Sequence, residues 1–312
     1  MDPIHVVQPK IKEAVSHLSP LLHGKDAALI KVLACIFSNG HLLLEDLPGL
    51  GKTTLAIAVA HLLGLKFGRV QCTNDLLPTD VTGLNIFKME QGAFEFHPGP
   101  IFNHLVLVDE INRATPKTQS SLLEAMGEEQ VTLDGKTYRL PRPFFVIATQ
   151  NPVEHAGTFP LPESQMDRFM MKTSIGYPSK EAERAILRSG SQREELKNIS
   201  PLFTQDEIIE IQTDIEKNIH VSDKILDYLL VLTEKTRTNP SISVGISTRG
   251  AMALLGLAKT LAWMQGRDYV IPEDDILMAP DVLLHRIRLR SGAEADKAEV
   301  LRALFAEIPA IQ

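Results

Sequence analysis

Apolar positions along the chain follow two rhythms. In the first part, short β-rich runs recur at residues 41–45, 66–73, 105–109 and 143–149. Runs of this length, bounded by turn residues and alternating with helical segments, predict the strands of a parallel sheet covered on both faces. Residues 52–63 and 116–126 read as two of the intervening helices. The second has Thr115 as N-cap, Pro116 at the first helical position and Gly127 just past the expected end. Two stretches read as hairpins. One pairs 84–87 with 93–96 across a five-residue loop ending in Gly92, the other pairs 130–133 with 136–140 across Asp134-Gly135.

Beyond Tyr177-Pro178 the strand rhythm stops, and helical patterns follow at 180–189, 204–217, 223–236, 249–265 and 272–285. In the fourth, Ala251, Leu254, Leu255, Ala258, Leu261 and Ala262 form one apolar stripe at helical spacing. The pattern predicts an α/β core over 1–178, with an N-terminal helix and the two hairpins as inserts. A loose polar linker over 179–200 and a smaller all-α domain over 201–312 complete it.

Composition adds bounds. The chain has 312 residues, 44% hydrophobic and 23% charged, the profile of a folded globular protein. Its formal charge of −7 argues against wrapping nucleic acid through phosphate contacts. No apolar run approaches the ~20 residues that span a bilayer, and the start, Met1-Asp-Pro-Ile-His, lacks the character of a signal peptide. Cys35 and Cys72, the two cysteines, sit in apolar surroundings and read as buried thiols. The expected compartment is the cytoplasm.

Chemistry concentrates where the first strand meets the first core helix. Leu47, Pro48, Gly49, Leu50, Gly51, Lys52, Thr53 and Thr54 form a glycine-rich turn that opens a helix. Such a loop aims backbone N–H groups and a helix N-terminus at phosphates, with Lys52 for the β/γ oxygens and the Thr53 hydroxyl for Mg²⁺. The motif's first glycine is replaced by Asp46. Asp tolerates left-handed backbone, so the expectation is that Asp46 is accommodated by geometry rather than used chemically. A second signal is Leu105–Asp109 followed by Glu110, an apolar strand ending in two carboxylates. Asp109 can serve Mg²⁺ through water, and Glu110 can take a proton from an attacking water.

Four segments in order carry a family resemblance: Glu45-Asp-Leu-Pro-Gly-Leu-Gly-Lys-Thr53, Asp109-Glu-Ile-Asn-Arg-Ala114, Ala148-Thr-Gln-Asn-Pro152 and Leu161-Pro-Glu-Ser-Gln-Met-Asp-Arg-Phe169. The chain resembles the AAA+ ATPases and, among them, the MoxR family, from about Ile11 to the C-terminal helices. The resemblance implies an AAA+ P-loop core with hairpin inserts, a parallel sheet sandwiched by helices, followed by a small all-α lid. It implies ATP hydrolysis to ADP and phosphate with Mg²⁺, in a homo-oligomeric ring, most often a hexamer, that remodels or activates a client protein. It places Asn151 as the residue that positions the lytic water or γ-phosphate, and Arg168 as a finger reaching the neighbouring subunit's nucleotide. Arg249 resembles an arginine acting on its own subunit's phosphates, and Gly24, within His23-Gly24-Lys25, falls where the family contacts adenine. No effector domain is expected within the residues read through Gln312, and the resemblance implies a separate polypeptide as partner, often a von Willebrand factor A-domain protein.

Arg249 also stands in the first turn of a helix capped by Ser247 or Thr248, where the dipole disfavours a cation, so an anion is expected nearby. The resemblance puts the hairpins on the ring's pore face, where Met89 and Phe94 would meet a client; packing on the protein's own body is the alternative. His97, His104 and His155 lack metal-ligand spacing, and Cys35 and Cys72 lack basic neighbours that activate a thiolate. His285-Arg-Ile-Arg-Leu-Arg290 reads as a solvated basic face. Two rival functions remain: a nucleotide-gated scaffold that barely hydrolyses ATP, supported by Asp46, and a DNA-handling motor, which the acidic charge disfavours.

Overall fold

A computed structural model describes residues 6–90, 92–153, 157–190, 193–196, 198–290 and 296–308. The strands are β1 (Leu42–Glu45), β2 (Phe67–Gln71), β3 (Gly83–Lys88), β4 (Ala93–Pro98), β5 (Leu105–Asp109), β6 (Gln130–Leu133), β7 (Lys136–Arg139), β8 (Phe145–Gln150), β9 (Met171–Thr173), β10 (Ile242–Val244) and β11 (Arg288–Leu289). The helices before the last sheet strand are α1 (Pro9–Leu22), α2 (Asp26–Phe37), α3 (Lys52–Leu62), α4 (Pro78–Thr82), α5 (Pro116–Glu128) and α6 (Glu163–Met166). After it come α7 (Lys180–Ser189), α8 (Arg193–Leu196), α9 (Gln205–Asn218), α10 (Asp223–Thr238), α11 (Thr248–Met264), α12 (Pro272–Leu283) and α13 (Lys297–Glu307).

Five strands form one parallel sheet in the order β2-β5-β8-β1-β9. Side-chain alternation splits its apolar residues between two cores. Leu42, Leu44, Leu105, Leu107 and Ile147 face a core that runs from α1–α3 through α9–α12. Leu43, Val106, Val108, Val146 and Ala148 face the other, under α5 and Ile101. Burial on both faces is why β1, β5 and β8 are largely apolar runs. The register pairs Gln71 with Asp109 and Glu45 with Gln150, so the strands end along one edge, where open α/β sheets bind ligands.

The expected strands and hairpins are present, with several corrections. Strand β9, the edge strand beside β1, lacks a sequence signal because only three residues pair. Two helices precede β1, where one is expected. α2 is buried on nearly every face, from Ala28 to Phe37, as fits a helix inside the core rather than on its surface. β10 and β11 add a small antiparallel pair to the helical region, read from sequence as free of strands. Gly127 does not end α5. The helix runs to Glu128, and Glu129 takes the left-handed cap at φ +51°. Gly127 serves close approach instead, since a Cβ there would stand 3.1 Å from Arg168 Nη1.

The two hairpins are joined. Asn85 Nδ2 donates to Asp134 Oδ2 at 2.6 Å, and Phe96 stacks on Tyr138 with ring centroids 4.0 Å apart. Both Asp134 and Gly135 have positive φ, as a tight two-residue turn requires. The β3–β4 hairpin packs on the protein's own body through Phe96, against Phe102 and Tyr138, while Met89 and Phe94 at its tip stay exposed.

Candidate active site

The loop from Asp46 to Gly51 joins β1 to α3, whose Leu55, Ala56, Val59 and Leu62 are locked in the core. Gly49 and Gly51 have φ of +84° and +91°, a backbone that side-chain-bearing residues avoid. A cavity of about 310 Å³ opens at this helix N-terminus. Pro48, Gly49, Gly51, Lys52, Thr53 and Thr54 line one side of it, and Asp109, Glu110 and Asn151 line the other. Lys52 Nζ donates to the carbonyls of Asp46 at 2.6 Å and Leu47 at 3.0 Å. Partial burial lowers its pKa, against the opposing pull of Asp46, Asp109 and Glu110. A phosphate would therefore take over a cation now held by its own loop.

Asp46 departs from expectation. It is not left-handed, and its carboxylate has a definite task. Oδ2 accepts from the N–H groups of Ile175 and of Gly176, the latter at 3.3 Å. Lys25 Nζ donates to the Gly176 carbonyl at 2.6 Å, and burial lowers its pKa while Asp46 raises it. The side chain that replaces a glycine thus holds the segment that leaves β9 toward α7.

The acidic pair is built with partners the sequence reading missed. Arg69, on edge strand β2, places Nε and Nη2 each 2.8 Å from Asp109 Oδ2. Thr149 Oγ1 donates to Asp109 Oδ1 at 3.3 Å and accepts the Glu110 N–H at 2.9 Å. That second bond holds Glu110 at φ +56°, an uncommon backbone for a residue with a side chain. Glu110 Oε2 pairs with Arg113 at 3.3 Å and accepts from Gln71 Nε2 at 3.4 Å. The only advance sign of Arg69 and Gln71 is their period-two spacing, which puts both on one face of β2.

Asn151 is buried beside the acids, and its Oδ1 accepts from the Val153 N–H at 3.2 Å in a local turn. Leu50, Gly24, Arg168 and Arg249 do not line the cavity. Gly24 lies against Ala182 of α7. Arg249 is exposed in the first turn of α11, whose N-cap is Ser247. Arg168 turns back on α5 and donates to the Leu123 carbonyl.

The basic run at 285–290 is a solvated face only in part, with Arg288 and Arg290 exposed. Arg286 is buried, its side chain only 3% exposed and paired with Asp167. Burial, with Arg286 adding to it, pushes the neighbouring His285 down to about 3. Cys35 and Cys72 are free and buried; burial, with Asp109 and Glu110 adding to it, raises the Cys72 thiol to about 12. His97 is exposed, His104 is buried and His155 lies outside the described residues. Among the described residues no cluster of His, Cys, Asp and Glu could alone hold a metal, and no helix is long and apolar enough to cross a membrane.

Comparison with known proteins gives the site its context. Residues 41–171 match the ATPase family associated with various cellular activities (AAA), and 234–307 match the AAA lid domain. An uncharacterized protein, YeaC of Bacillus subtilis, is 44% identical over 92% of this chain and 90% of its own. Chaperone MoxR1 of Mycobacterium tuberculosis is 39% identical over 92% of this chain and 78% of its own. Protein MoxR of Methylorubrum extorquens is 31% identical over 92% and 91%. A crystal structure from Cytophaga hutchinsonii superposes with a TM-score of 0.89 at 36% identity, covering 97% of this chain and 95% of the other.

Proposed function

Since the chain belongs to the MoxR family of AAA ATPases, we propose that it hydrolyses ATP to ADP and phosphate with Mg²⁺, in a ring, to remodel a partner protein. One observation carries this reading. A single cavity gathers a glycine-rich loop with its lysine, a buried carboxylate, a second carboxylate and a polar amide.

Hydrolysis asks for positioning and charge stabilisation rather than covalent chemistry. Lys52 exchanges the carbonyls of Asp46 and Leu47 for phosphate oxygens. The Thr53 hydroxyl and Asp109, which line the cavity together, are the hard oxygen donors Mg²⁺ takes. When bound, Mg²⁺ screens charge that builds on the phosphate oxygens. Glu110 accepts the proton of the attacking water, and Asn151 orients that water or the γ-phosphate. Arg249 acts on its own subunit's nucleotide. Arg168, outside the cavity of its own chain, acts on the neighbour's.

The nucleotide-binding core over 1–178 and the lid over 201–312 would move against each other across the linker. The joined hairpins, with Met89 90% and Phe94 70% exposed, offer an apolar surface to a client as one unit. A hexameric ring with a von Willebrand factor A-domain partner, in the cytoplasm, is the arrangement the family relationship suggests; the buried free thiols suit such a reducing compartment. The scaffold alternative loses its support, because the Asp46 carboxylate is committed to Ile175 and Gly176. Phosphate release from ATP, with and without Mg²⁺, tests the proposal. Release should require Mg²⁺ and vanish in Lys52→Ala. Equal release by Lys52→Ala would refute it.

A further inference from the structure

A buried guanidinium makes most of the hydrogen bonds between the C-terminal helical region and the segment carrying Arg168, beside His285 Nε2, which lies 3.2 Å from the Phe169 carbonyl. Arg286 Nε donates to Asp167 Oδ1 at 2.7 Å. Its Nη2 donates to the carbonyls of Phe169 at 2.6 Å and Asp167 at 3.3 Å, and its Nη1 to Met170 at 3.1 Å and to Val282. The same Nη1 lies 2.8 Å from His285 Nε2. One charged side chain therefore fastens the end of α12 to the backbone on both sides of Arg168. Such a fork fixes orientation as well as distance.

Asp167 is shared. Its Oδ2 accepts from Ser247 Oγ at 2.9 Å, and the same Oγ caps α11 by accepting the Gly250 N–H at 3.0 Å. Gly250 lets the helix approach, since a Cβ there would stand 2.8 Å from Arg286 Cδ. The first turn of α11, which carries Arg249, is thus bonded to the residue preceding Arg168.

We propose that Arg286 is a positioning residue: with Asp167 and Ser247 it ties the lid turn bearing Arg249 to the segment bearing Arg168, so that lid position in one subunit sets the arginine offered to the next. This rests on the reading that Arg168 acts in trans and Arg249 in cis. Nucleotide under Arg249 then alters catalysis next door without any contact between the two nucleotides.

The test uses Arg286→Lys, which keeps the charge and loses the fork, and Ser247→Gly, which cuts the link from α11 to Asp167. Glycine is tolerated at an N-cap nearly as well as serine, so Ser247→Gly carries the test should Arg286→Lys melt early. Both should lower kcat by about 10- to 100-fold, the effect of displacing a catalytic group by about 1 Å. KM and nucleotide affinity should stay within a few-fold, and the cooperativity of ATP turnover should fall. Mixed assemblies separate positioning from mere structure. Either variant keeps its own Lys52 and Glu110, so Glu110→Gln subunits, with an intact Arg168, should restore activity, and Arg168→Ala subunits should not. Unchanged kcat and cooperativity, or equal rescue by both partners, overturns the inference. So does absence of rescue by Glu110→Gln when the control pair, Arg168→Ala with Glu110→Gln, recovers. Failure of that control overturns the in-trans reading itself and this inference with it.

Discussion

Arg69 and Asp109 form an ion pair across neighbouring strands, Nε to Oδ2 at 2.8 Å, on the wall of the cavity that Lys52, Thr53 and Glu110 also line. The acid that would serve Mg²⁺ thus already has a cation. Arg69 is half exposed, so water and salt screen the pair.

Removing that competitor should favour the metal. Arg69→Ala is expected to bind a fluorescent ATP analogue at a lower Mg²⁺ concentration than the parent. A half-exposed pair is worth up to about 1 kcal/mol, which corresponds to roughly a fivefold shift. A magnesium titration of analogue binding checks this. A rise in the Mg²⁺ required would assign Arg69 to the phosphates instead.

Asp46 should matter to the fold more than to the phosphates. Asp46→Gly deletes the acceptor for two backbone N–H groups and removes the carboxylate that raises the pKa of buried Lys25. Hydrogen bonds to a charged group are worth about 1.5–3 kcal/mol, so a loss of about 2 kcal/mol is expected by denaturant melting, with Asp46→Asn intermediate. Unchanged stability in Asp46→Gly would return the residue to a passive place in the loop.

The lid contains a buried acid that makes stability depend on pH. Both Asp275 oxygens lack a hydrogen-bond partner among the described residues, and burial, aided by Asp274, raises its pKa to about 8. A carboxyl raised in the folded state contributes stability that is complete below its unfolded value near 4. That contribution is lost as pH rises through about 8. Asp275→Asn should match the parent near pH 4 and gain over it with rising pH, by roughly 1.4 kcal/mol per unit within that window. Parallel stability curves for the two proteins would contradict the assignment.

Local chemistry explains what could be read ahead of the structure. The glycine-rich loop and the strand ending in Asp109-Glu110 are each contiguous in sequence, so both motifs, which the structure brings to one cavity, could be picked out locally. The apolar β5 and β8 declare a sheet buried on both faces for the same reason. Arg69, Thr149 and Arg286 act across 40, 39 and 119 residues of chain, and nothing local marks such partners. Arg286 misleads further, because the run crosses from the turn that ends α12, where Arg286 and Ile287 are buried, into β11 and beyond, where Arg288 and Arg290 are exposed. Gly127 misleads because a helix-stop residue and a residue making room for Arg168 look the same in sequence.

The most direct test of the account is Glu110→Gln. The amide keeps the shape of the side chain and loses the proton acceptor, and a positioned base is typically worth about 10²–10⁴-fold. Phosphate release should fall by that factor while ATP binds with parental affinity. Hydrolysis by Glu110→Gln within a few-fold of the parent would contradict the assignment of this cavity as the catalytic centre.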